Sequence, residues 1–319
     1  MSQVVIGVDI AKDKFDVARF CEGKYRHKQF ANTPQGFAAF LTWLEGFGDD
    51  PPWVCMEATG AYSIPLAEFL VERNCRVSVV NPAKIHAFAK SELSRAKTDK
   101  ADAKLIARYG RVMQPDLWTP PPKATRELQA LLRRVEHLLE MQQMERNRLD
   151  TADPLMAGSL KTVLDTLDKE LDTVRRRIKS HIDSDPDLKQ RRDLLESIPG
   201  VGPATAAWLL TLLSPHYAFI NAKQAVAHAG LAPKLQESGK WKGTTRLSKT
   251  GDPGLRKALY MPILSAWQHN PAIRAFCERL KASGMNGKAI ACAAMRKLIH
   301  IAFAILKSGQ PFDPNLKLA

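Results

Sequence analysis

The order of apolar and polar residues divides the chain into a first part of mixed strands and helices and a longer helical remainder. Apolar or alternating runs predict five strands, at residues 4–10, 15–20, 25–32, 53–60 and 76–82. Helical periodicity predicts helices between and after them, at about residues 34–44, 67–73, 83–93 and 99–112. Three early strands followed by alternating helices and strands indicate an α/β layer.

The segment Trp118-Thr119-Pro120-Pro121-Pro122 is a stiff break that predicts a domain boundary. From residue 124 to about 183, two apolar stripes separated at Asp153-Pro154 predict two long helices. These helices can form an antiparallel hairpin, an oligomeric coiled coil, or a layer packed on the parent domain. We therefore expect three domains, over residues 1–118, 119–190 and 191–319.

The third of these segments begins with two predicted helices joined by Ile198-Pro199-Gly200-Val201-Gly202. This is the pattern of a helix-hairpin-helix, in which the glycines let backbone N–H groups approach a phosphate. The N-terminus of the following helix adds a positive dipole. An ordinary turn between two helices has the same pattern.

Charge changes the picture more than composition does. The 319 residues are 45% hydrophobic, which is typical of a globular protein, but they carry a formal net charge of +14. Residues 221–319 hold 16 Lys or Arg against 4 Asp or Glu. A surplus of this size favours a polyanionic partner over a small-metabolite substrate, although a solvated basic face without a role has the same composition.

Several other classes of protein do not fit. The apolar runs are short compared with the roughly 18 residues that a membrane span needs, so no membrane partner is expected. The N-terminus shows no secretory signal. The five cysteines are odd in number and lack CxxC spacing. They indicate buried thiols in a reducing cytoplasm rather than disulfides or a zinc site.

Four acidic residues occupy places where an active site can form. Asp9 and Glu57 end the first and fourth predicted strands, and Asp99 and Asp102 share one face of a predicted helix. Such positions can meet in one crevice, where four carboxylates repel one another unless divalent cations bind. The pattern predicts two Mg²⁺ ions, with Mn²⁺ as a substitute. Each acid by itself has a simpler explanation, as a cap or a solvated charge.

At this point the motifs resemble those of a known family. GVDIAKDKFDVA, MEATGAY and KTDKADA resemble the RuvC-like domain of the DEDD transposases of bacterial insertion sequences, a family that includes the Piv-type DNA invertases. LLESIPGVGPATA, GLAPKLQESGKWKG and RLSKTGDPGLRKALYMP resemble the second conserved domain of that family. The resemblance implies an RNase H-like N-terminal domain, a coiled-coil middle and a mainly α-helical transposase domain.

The same resemblance assigns roles to individual residues. It identifies Asp9, Glu57, Asp99 and Asp102 as the tetrad that binds two Mg²⁺ ions, and Ser238, in the ESG turn, as a nucleophile. It implies a recombinase that acts on donor and target DNA under the guidance of a structured bridge RNA. It also implies a homo-oligomer, a dimer to a tetramer, with active sites shared between subunits. Such a protein works in the bacterial cytoplasm, at the nucleoid.

The neighbours of Ser238 give it some independent support. Gly239 lets the turn expose the hydroxyl, and the basic residues Lys240 and Lys242 can hold a phosphate. A serine that only caps a turn fits the same residues, and Ser248 is a rival candidate. In the expected mechanism Ser238 attacks a DNA phosphodiester, and a hydroxyl from the other duplex then displaces the serine.

No motif indicates that the protein itself recognises a particular DNA sequence. The chain shows no zinc finger, homeodomain pattern or RNA-recognition motif. A recombinase that leaves the choice of sequence to RNA pairing has this character. Its basic residues would then bind the phosphate backbones of the nucleic acids. The predicted contacts are Lys240, Lys242, Arg246, Lys249, Arg256 and Lys257.

Three other functions compete with this one. A RuvC-like nuclease that resolves DNA junctions with metal-activated water needs the four acids but not Ser238. An actin-like sugar kinase fits the first motif superficially but leaves the basic C-terminal third unexplained. A nucleic-acid-binding scaffold without enzymatic activity accounts for the charge but gives the acids no role.

Overall fold

The computed structural model describes residues 4–21, 24–48, 52–92, 98–234, 237–238, 241–242 and 246–314. Contacts divide the chain into two compact units, Met1–Pro120 and Pro121–Ala319, called the N-terminal and C-terminal units below. The division lies two residues after the boundary expected at 118. The further division of the second unit near residue 190 stays a prediction.

The N-terminal unit is the predicted α/β layer. Its strands are β1 (Val5–Ile10), β2 (Lys14–Cys21), β3 (Lys24–Ala31), β4 (Trp53–Glu57) and β5 (Arg76–Val80). Its helices are α1 (Pro34–Glu45), α2 (Ile64–Val71), α3 (Pro82–Ser91) and α4 (Asp99–Met113). The strands form one sheet in the order β3-β2-β1-β4-β5. The first three are antiparallel, whereas β1, β4 and β5 are parallel, which is the arrangement of an RNase H-like sheet.

Helices cover both faces of this sheet. On one face the aromatic rings of Phe15, Phe37 and Phe40 pack together in a core that α1 and α2 complete. On the other face α4 lies directly on β1. A Cβ atom at Gly7 of β1 would lie 2.2 Å from the carbonyl oxygen of Ala103 and 2.2 Å from the amide nitrogen of Ala107. Only glycine permits this approach of helix to strand.

The C-terminal unit is mainly α-helical. Its helices are α5 (Lys123–Leu149), α6 (Pro154–Ser184), α7 (Pro186–Glu196), α8 (Pro203–Leu212), α9 (Ala222–His228), α10 (Pro253–His269), α11 (Pro271–Ala282) and α12 (Gly287–Ser308). Between α9 and α10 lie four two-residue strands, β6 (Pro233–Lys234), β7 (Glu237–Ser238), β8 (Trp241–Lys242) and β9 (Arg246–Leu247). They pair as β6 with β9 and β7 with β8.

The two long helices α5 and α6 form an antiparallel hairpin. Near its open end the ring Nε2 of His181 is 2.8 Å from the carbonyl oxygen of Ala124, and further along Gln142 donates to Asp168. A small apolar cluster between the helices includes Leu138 and Leu171. Of the three arrangements open from the sequence, two are found within the chain: the helices form a hairpin, and Leu128, Leu132 and Ile182 pack it on the main core of the C-terminal unit. The use of the hairpin as an oligomeric coiled coil stays a prediction.

Helix α12 is long and apolar enough to cross a membrane by length and composition alone. The expectation of no such segment rested on continuous apolar runs, and Arg296 and Lys297 interrupt this one. Half of the apolar window is buried inside the protein, where Leu298, Ile299 and Ala302 belong to the main core of the C-terminal unit. A core helix passes the same test, so this is weak evidence for a span.

Three of the described thiols are buried, as the sequence predicts, whereas Cys292 is partly exposed. The cysteines whose side chains the structure describes are all free, and they are Cys55, Cys75, Cys277 and Cys292. Burial raises the pKa of the Cys55 thiol to about 12, so it is inert in ordinary conditions.

The turn between α7 and α8 packs closely against α10. Gly200 has φ +95°, and a Cβ there would lie 2.6 Å from the Cα of Ala266 on α10. The side chain of Asn270 donates to the carbonyl oxygen of Pro199 at 3.3 Å. The glycine is therefore explained by its conformation and by close contact with α10. A phosphate-binding role for this turn stays a prediction.

Replacing Gly200 tests this explanation. Gly200→Ala places a methyl group against Ala266 in a backbone conformation that alanine disfavours, so we expect it to lower the free energy of unfolding by about 2 kcal/mol or more. Gly202→Ala is the matched control, because nothing lies within 4 Å of a Cβ there, and it should change stability by less than about 1 kcal/mol. Urea titration measures both, and equal effects would contradict the packing role.

Candidate active site

The fold brings the four predicted acids to one region of the N-terminal unit. In the parallel pair of β1 and β4, Val8 lies opposite Met56, so the next residues, Asp9 and Glu57, lie side by side at the carboxyl ends of the strands. Asp99 and Asp102 occupy the first turn of α4, where Thr98 caps the helix. Because α4 lies on β1 at Gly7, this turn is carried to the same edge.

Mutual repulsion shows in the electrostatics of the cluster. The pKa of Asp9 is raised from 3.8 to about 6, first by burial and then by the charges of Asp102, Asp99, Glu57 and Asp16. Burial also raises the pKa of Glu57; nearby Asp102 adds to the rise, whereas His86 on α3 opposes it. The cluster is therefore a place where negative charge is costly without a cation.

A fifth carboxylate, missed in the sequence, belongs to this cluster. Asp16 of β2 lies directly across from Asp9 in the antiparallel pair and is only 4% exposed. His27 Nε2 is 2.7 Å from one oxygen of Asp16, and Gln29 donates to the other at 3.0 Å. These two partners on β3 fix the side chain. The sequence does carry a signal for Asp16, because this acidic residue stands between Phe15 and Val17 in a strand that is otherwise expected to be buried.

Lys14 supplies a positive charge beside the acids. Its Nζ is 2.9 Å from Asp99 Oδ2 and 3.7 Å from Asp16 Oδ2. The hydrogen bond between Lys14 and Asp99 raises the pKa of the lysine and lowers that of the carboxyl. Sequence reasoning placed Lys14 in a turn and gave it no role.

Ser238 belongs to the C-terminal unit. It lies in β7, where its backbone pairs with Trp241 of β8 in a short hairpin. Gly239 and Lys240 lie outside the described residues, and for Ser238 and Lys242 only the backbone is described. The assignment of the nucleophile therefore stays a prediction. The rival Ser248 uses its backbone N–H to donate to the carbonyl oxygen of Ala232 at 2.9 Å.

The predicted nucleic-acid contacts fall into two groups. Arg246 and Lys249 are exposed. Arg256, in contrast, donates to the carbonyl oxygens of Gly251 at 3.0 Å and Ala229 at 3.3 Å, so it ties two loops together.

Lys257 also has partners within the protein. Its Nζ is 2.8 Å from Glu140 and 3.7 Å from Glu136, both on α5. These contacts join α10 to the hairpin. The charge of Lys257 is therefore shared with two acids, whereas Arg256 uses one nitrogen on two neutral carbonyl oxygens.

Comparison with known families covers both units. Residues 6–152 match the DEDD transposase family of IS110-type elements, described as "Transposase". Residues 192–278 match the family described as "Transposase IS116/IS110/IS902 family". The chain is also 34% identical over 320 residues to the "Pilin gene-inverting protein" of Moraxella lacunata, with 99% of each protein covered.

The chain belongs to the IS110 family of transposases. Other relatives are more distant or similar only in part. The "Pilin gene-inverting protein" of Moraxella bovis is 33% identical over 99% of both chains. The "Transposase for insertion sequence element IS1328" of Yersinia enterocolitica is 27% identical over 46% of this chain and 43% of its own.

Among solved structures, RuvC of T. thermophilus in complex with a Holliday junction substrate aligns with 36% of this chain and 99% of its own. The identity is 17% and the TM-score 0.28. So weak a likeness carries no conclusion about the site. The RNase H-like arrangement rests instead on the strand order and directions of this IS110-family transposase.

The chemical nature of the side chains in this cluster suits a hard divalent cation. The donors are all carboxylate oxygens, which Mg²⁺ and Mn²⁺ prefer. Burial and then their repulsion raise the pKa of Asp9, and a lysine ammonium already pairs with Asp99. Among the residues that the structure describes, no three acidic, His or Cys side chains stand close enough together to enclose an ion. The carboxylates would therefore have to turn inward around it.

The raised pKa of Asp9 predicts how the stability of the metal-free protein depends on pH. Between pH 4 and 6 the folded state holds a proton on Asp9 that the unfolded state has lost, so stability falls as pH rises through this window. In EDTA, Asp9→Asn should therefore lose less stability than wild type between pH 5 and 7.5. The difference in Tm should be on the order of a few degrees. Equal pH dependence of the two proteins would contradict the repulsion.

Lys14 gives a second test of the cluster. In EDTA at pH 7.5, Lys14→Gln should melt below wild type, because Asp99 and Asp16 lose their nearest positive charge. Added Mg²⁺ should then raise its Tm by more than it raises that of wild type. Lys12→Gln is the matched control, since Lys12 is exposed in the same turn. An identical response to Mg²⁺ in both variants would show that Lys14 has no special place in the cluster.

Proposed function

We propose that this protein is a DNA recombinase that cuts and rejoins DNA strands, with the acidic cluster of the N-terminal unit as its metal site. The observation that carries the proposal is the group of acids around Asp9, gathered where β1, β4 and α4 meet. Similarity over the full length to pilin gene-inverting proteins supports it. Inverting a gene requires cutting and rejoining the DNA on both sides of it.

The four acids Asp9, Glu57, Asp99 and Asp102 would hold two Mg²⁺ ions. When bound, such ions neutralise the phosphate and lower the pKa of an attacking hydroxyl. Asp16 lies beside Asp9, and His27 and Gln29 hold its side chain in place. Lys14 balances Asp99 until the site is loaded.

Ser238 is the proposed nucleophile. Its Oγ attacks the phosphorus of a DNA phosphodiester and loses its proton, while the bond from phosphorus to a deoxyribose oxygen breaks and that oxygen leaves as a hydroxyl. A hydroxyl of the second duplex then attacks the phosphoserine and releases the serine. The number of phosphoester bonds is unchanged, so no ATP is needed. The match of the ESG turn to the family motif supports this role.

Guidance by RNA and assembly of several subunits complete the proposal. The lack of a recognised base-reading motif supports a guide RNA that selects the donor and target sequences. Exposed apolar side chains near the closed end of the α5–α6 hairpin support a homo-oligomer, a dimer to a tetramer. These are Leu139, Met141, Met144, Leu155 and Met156, of which Leu155 is 88% exposed.

A trapping assay tests the chemistry. Purified protein, Mg²⁺, labelled donor and target DNA, and RNA transcribed from the flanks of the element are mixed and run on a denaturing gel. Wild type should give a covalent protein–DNA adduct, and Ser238→Ala and Asp9→Asn should each reduce it by at least about a hundredfold. Ser248→Ala is the matched control, with an adduct at the wild-type level.

The same gel separates the alternatives. Cleavage without an adduct, unchanged in Ser238→Ala but lost in Asp9→Asn, would identify a junction nuclease that uses water. DNA binding with neither cleavage nor adduct would identify a scaffold. An adduct that forms equally well without RNA would remove the guide from the proposal and leave the recombinase.

A further inference from the structure

A cavity in the C-terminal unit has no role in the chemistry proposed above. It lies between α7, α12 and the loop that follows α8, and its volume is about 410 Å³, within the range of sites that take small ligands. Leu194, Leu306, Phe219 and Phe303 supply apolar walls. Arg191, Ser214 and Lys307 supply polar groups.

Arg191 carries a charge that the protein leaves poorly balanced. Its side chain is only 15% exposed, and burial lowers its pKa. One terminal nitrogen donates to the carbonyl oxygen of Leu213 at 2.6 Å, and the other is 3.9 Å from Asp187, whose side chain is 70% exposed. The buried Nε has no hydrogen-bond partner. A buried guanidinium in this state favours an anionic ligand.

Aromatic rings line the same cavity. Phe219 is stacked on Tyr217, with ring centroids 5.2 Å apart and planes 9° from parallel, and Tyr217 in turn contacts His228 at 4.4 Å. Phe303 of α12 lines the same space. A planar ring entering the cavity would meet aromatic side chains, as bases do on aromatic platforms in single-strand-binding proteins.

Positive charge extends from the cavity along α12. Lys307 lines the cavity, and one turn before Phe303 lies His300. Its pKa is lowered by burial and then by the charges of Arg296, Lys297 and Lys223 of α9. Within the described part of the chain these three cations form no ion pair with an acidic residue. The surface beside the cavity therefore attracts a phosphate backbone.

We propose that this cavity binds one unstacked nucleotide of the DNA substrate, with its base against Phe219 and Phe303 and its phosphate on Arg191 and Lys307. The cations of α9 and α12 hold the neighbouring backbone. The proposal rests on the proposed function for its DNA substrate, and it adds a site that recognises a nucleotide outside the duplex stack. A base that is already unpaired costs least to place there.

The test compares two duplexes that differ in one nucleotide. Full-length protein is titrated, in EDTA to prevent metal-dependent cleavage, against a fully paired DNA duplex and the same duplex with one extra unpaired adenine. Wild type should bind the bulged duplex at least about fivefold more tightly, given the usual contribution of base stacking. Phe303→Leu and Lys307→Gln should lose this preference. Lys281→Gln, which removes an exposed lysine that does not line the cavity, should retain it.

A second readout uses single nucleotides. Deoxyadenosine 5′-monophosphate should raise the Tm of wild type more than inorganic phosphate or deoxyadenosine does, and Arg191→Met should abolish the difference. If Arg191→Met does not fold, Phe303→Leu and Lys307→Gln carry the test, since both change partly or fully exposed side chains. Equal protection by phosphate alone would reduce the cavity to an anion site and overturn the proposal.

Other outcomes are equally decisive. Equal affinity for the two duplexes, or a preference that survives in Phe303→Leu and Lys307→Gln, overturns the nucleotide site while leaving DNA recombination intact. A preference confined to the RNA version of the bulged duplex assigns the cavity to RNA and also overturns it. Failure to bind any DNA would count against the proposed function itself.

Discussion

The contact of α4 with β1 at Gly7 is the constraint on which the candidate site depends. A side chain at this position would collide with the backbone of Ala103 and Ala107, so the helix approaches the strand as closely as two backbones allow. The first turn of α4 then reaches the carboxyl end of β1. This approach explains why Asp99 and Asp102, about 90 residues from Asp9 in sequence, act on its charge.

The cost of gathering these acids explains the groups around them. A carboxylate forced to ionise near others destabilises the folded state, and the chain offsets this with specific partners. Lys14 pairs with Asp99, while His27 and Gln29 hold Asp16. The same strands carry an apolar core of their own. The presence of Lys14, His27 and Gln29 at this edge is better explained by a site that carries high negative charge for its chemistry.

Much of the fold follows from the sequence, because local pattern determines it. The five strands and the four helices of the N-terminal unit were predicted from alternation and periodicity, although some of their ends differ. Asp16 was not, because its importance comes from the register that places it opposite Asp9. The packing of Gly200 was not predictable for a similar reason: its neighbour Ala266 is far away in sequence. Contacts between distant segments leave little trace in one sequence.

The basic residues show that sequence-based prediction has the same limit for charge, because pairing between distant segments is not visible in it. Net charge located the surplus correctly in the last third of the chain, but it does not tell which cations are available. Lys257 is engaged by Glu140 across two helices, whereas Lys223 and Lys297, on α9 and α12, have no acidic partner in the described structure. Because a paired lysine must break one contact to make another, affinity for a polyanion depends on the unpaired ones. The cations of the C-terminal unit that are available to a polyanion are therefore determined by where acids are missing rather than by where lysines are dense.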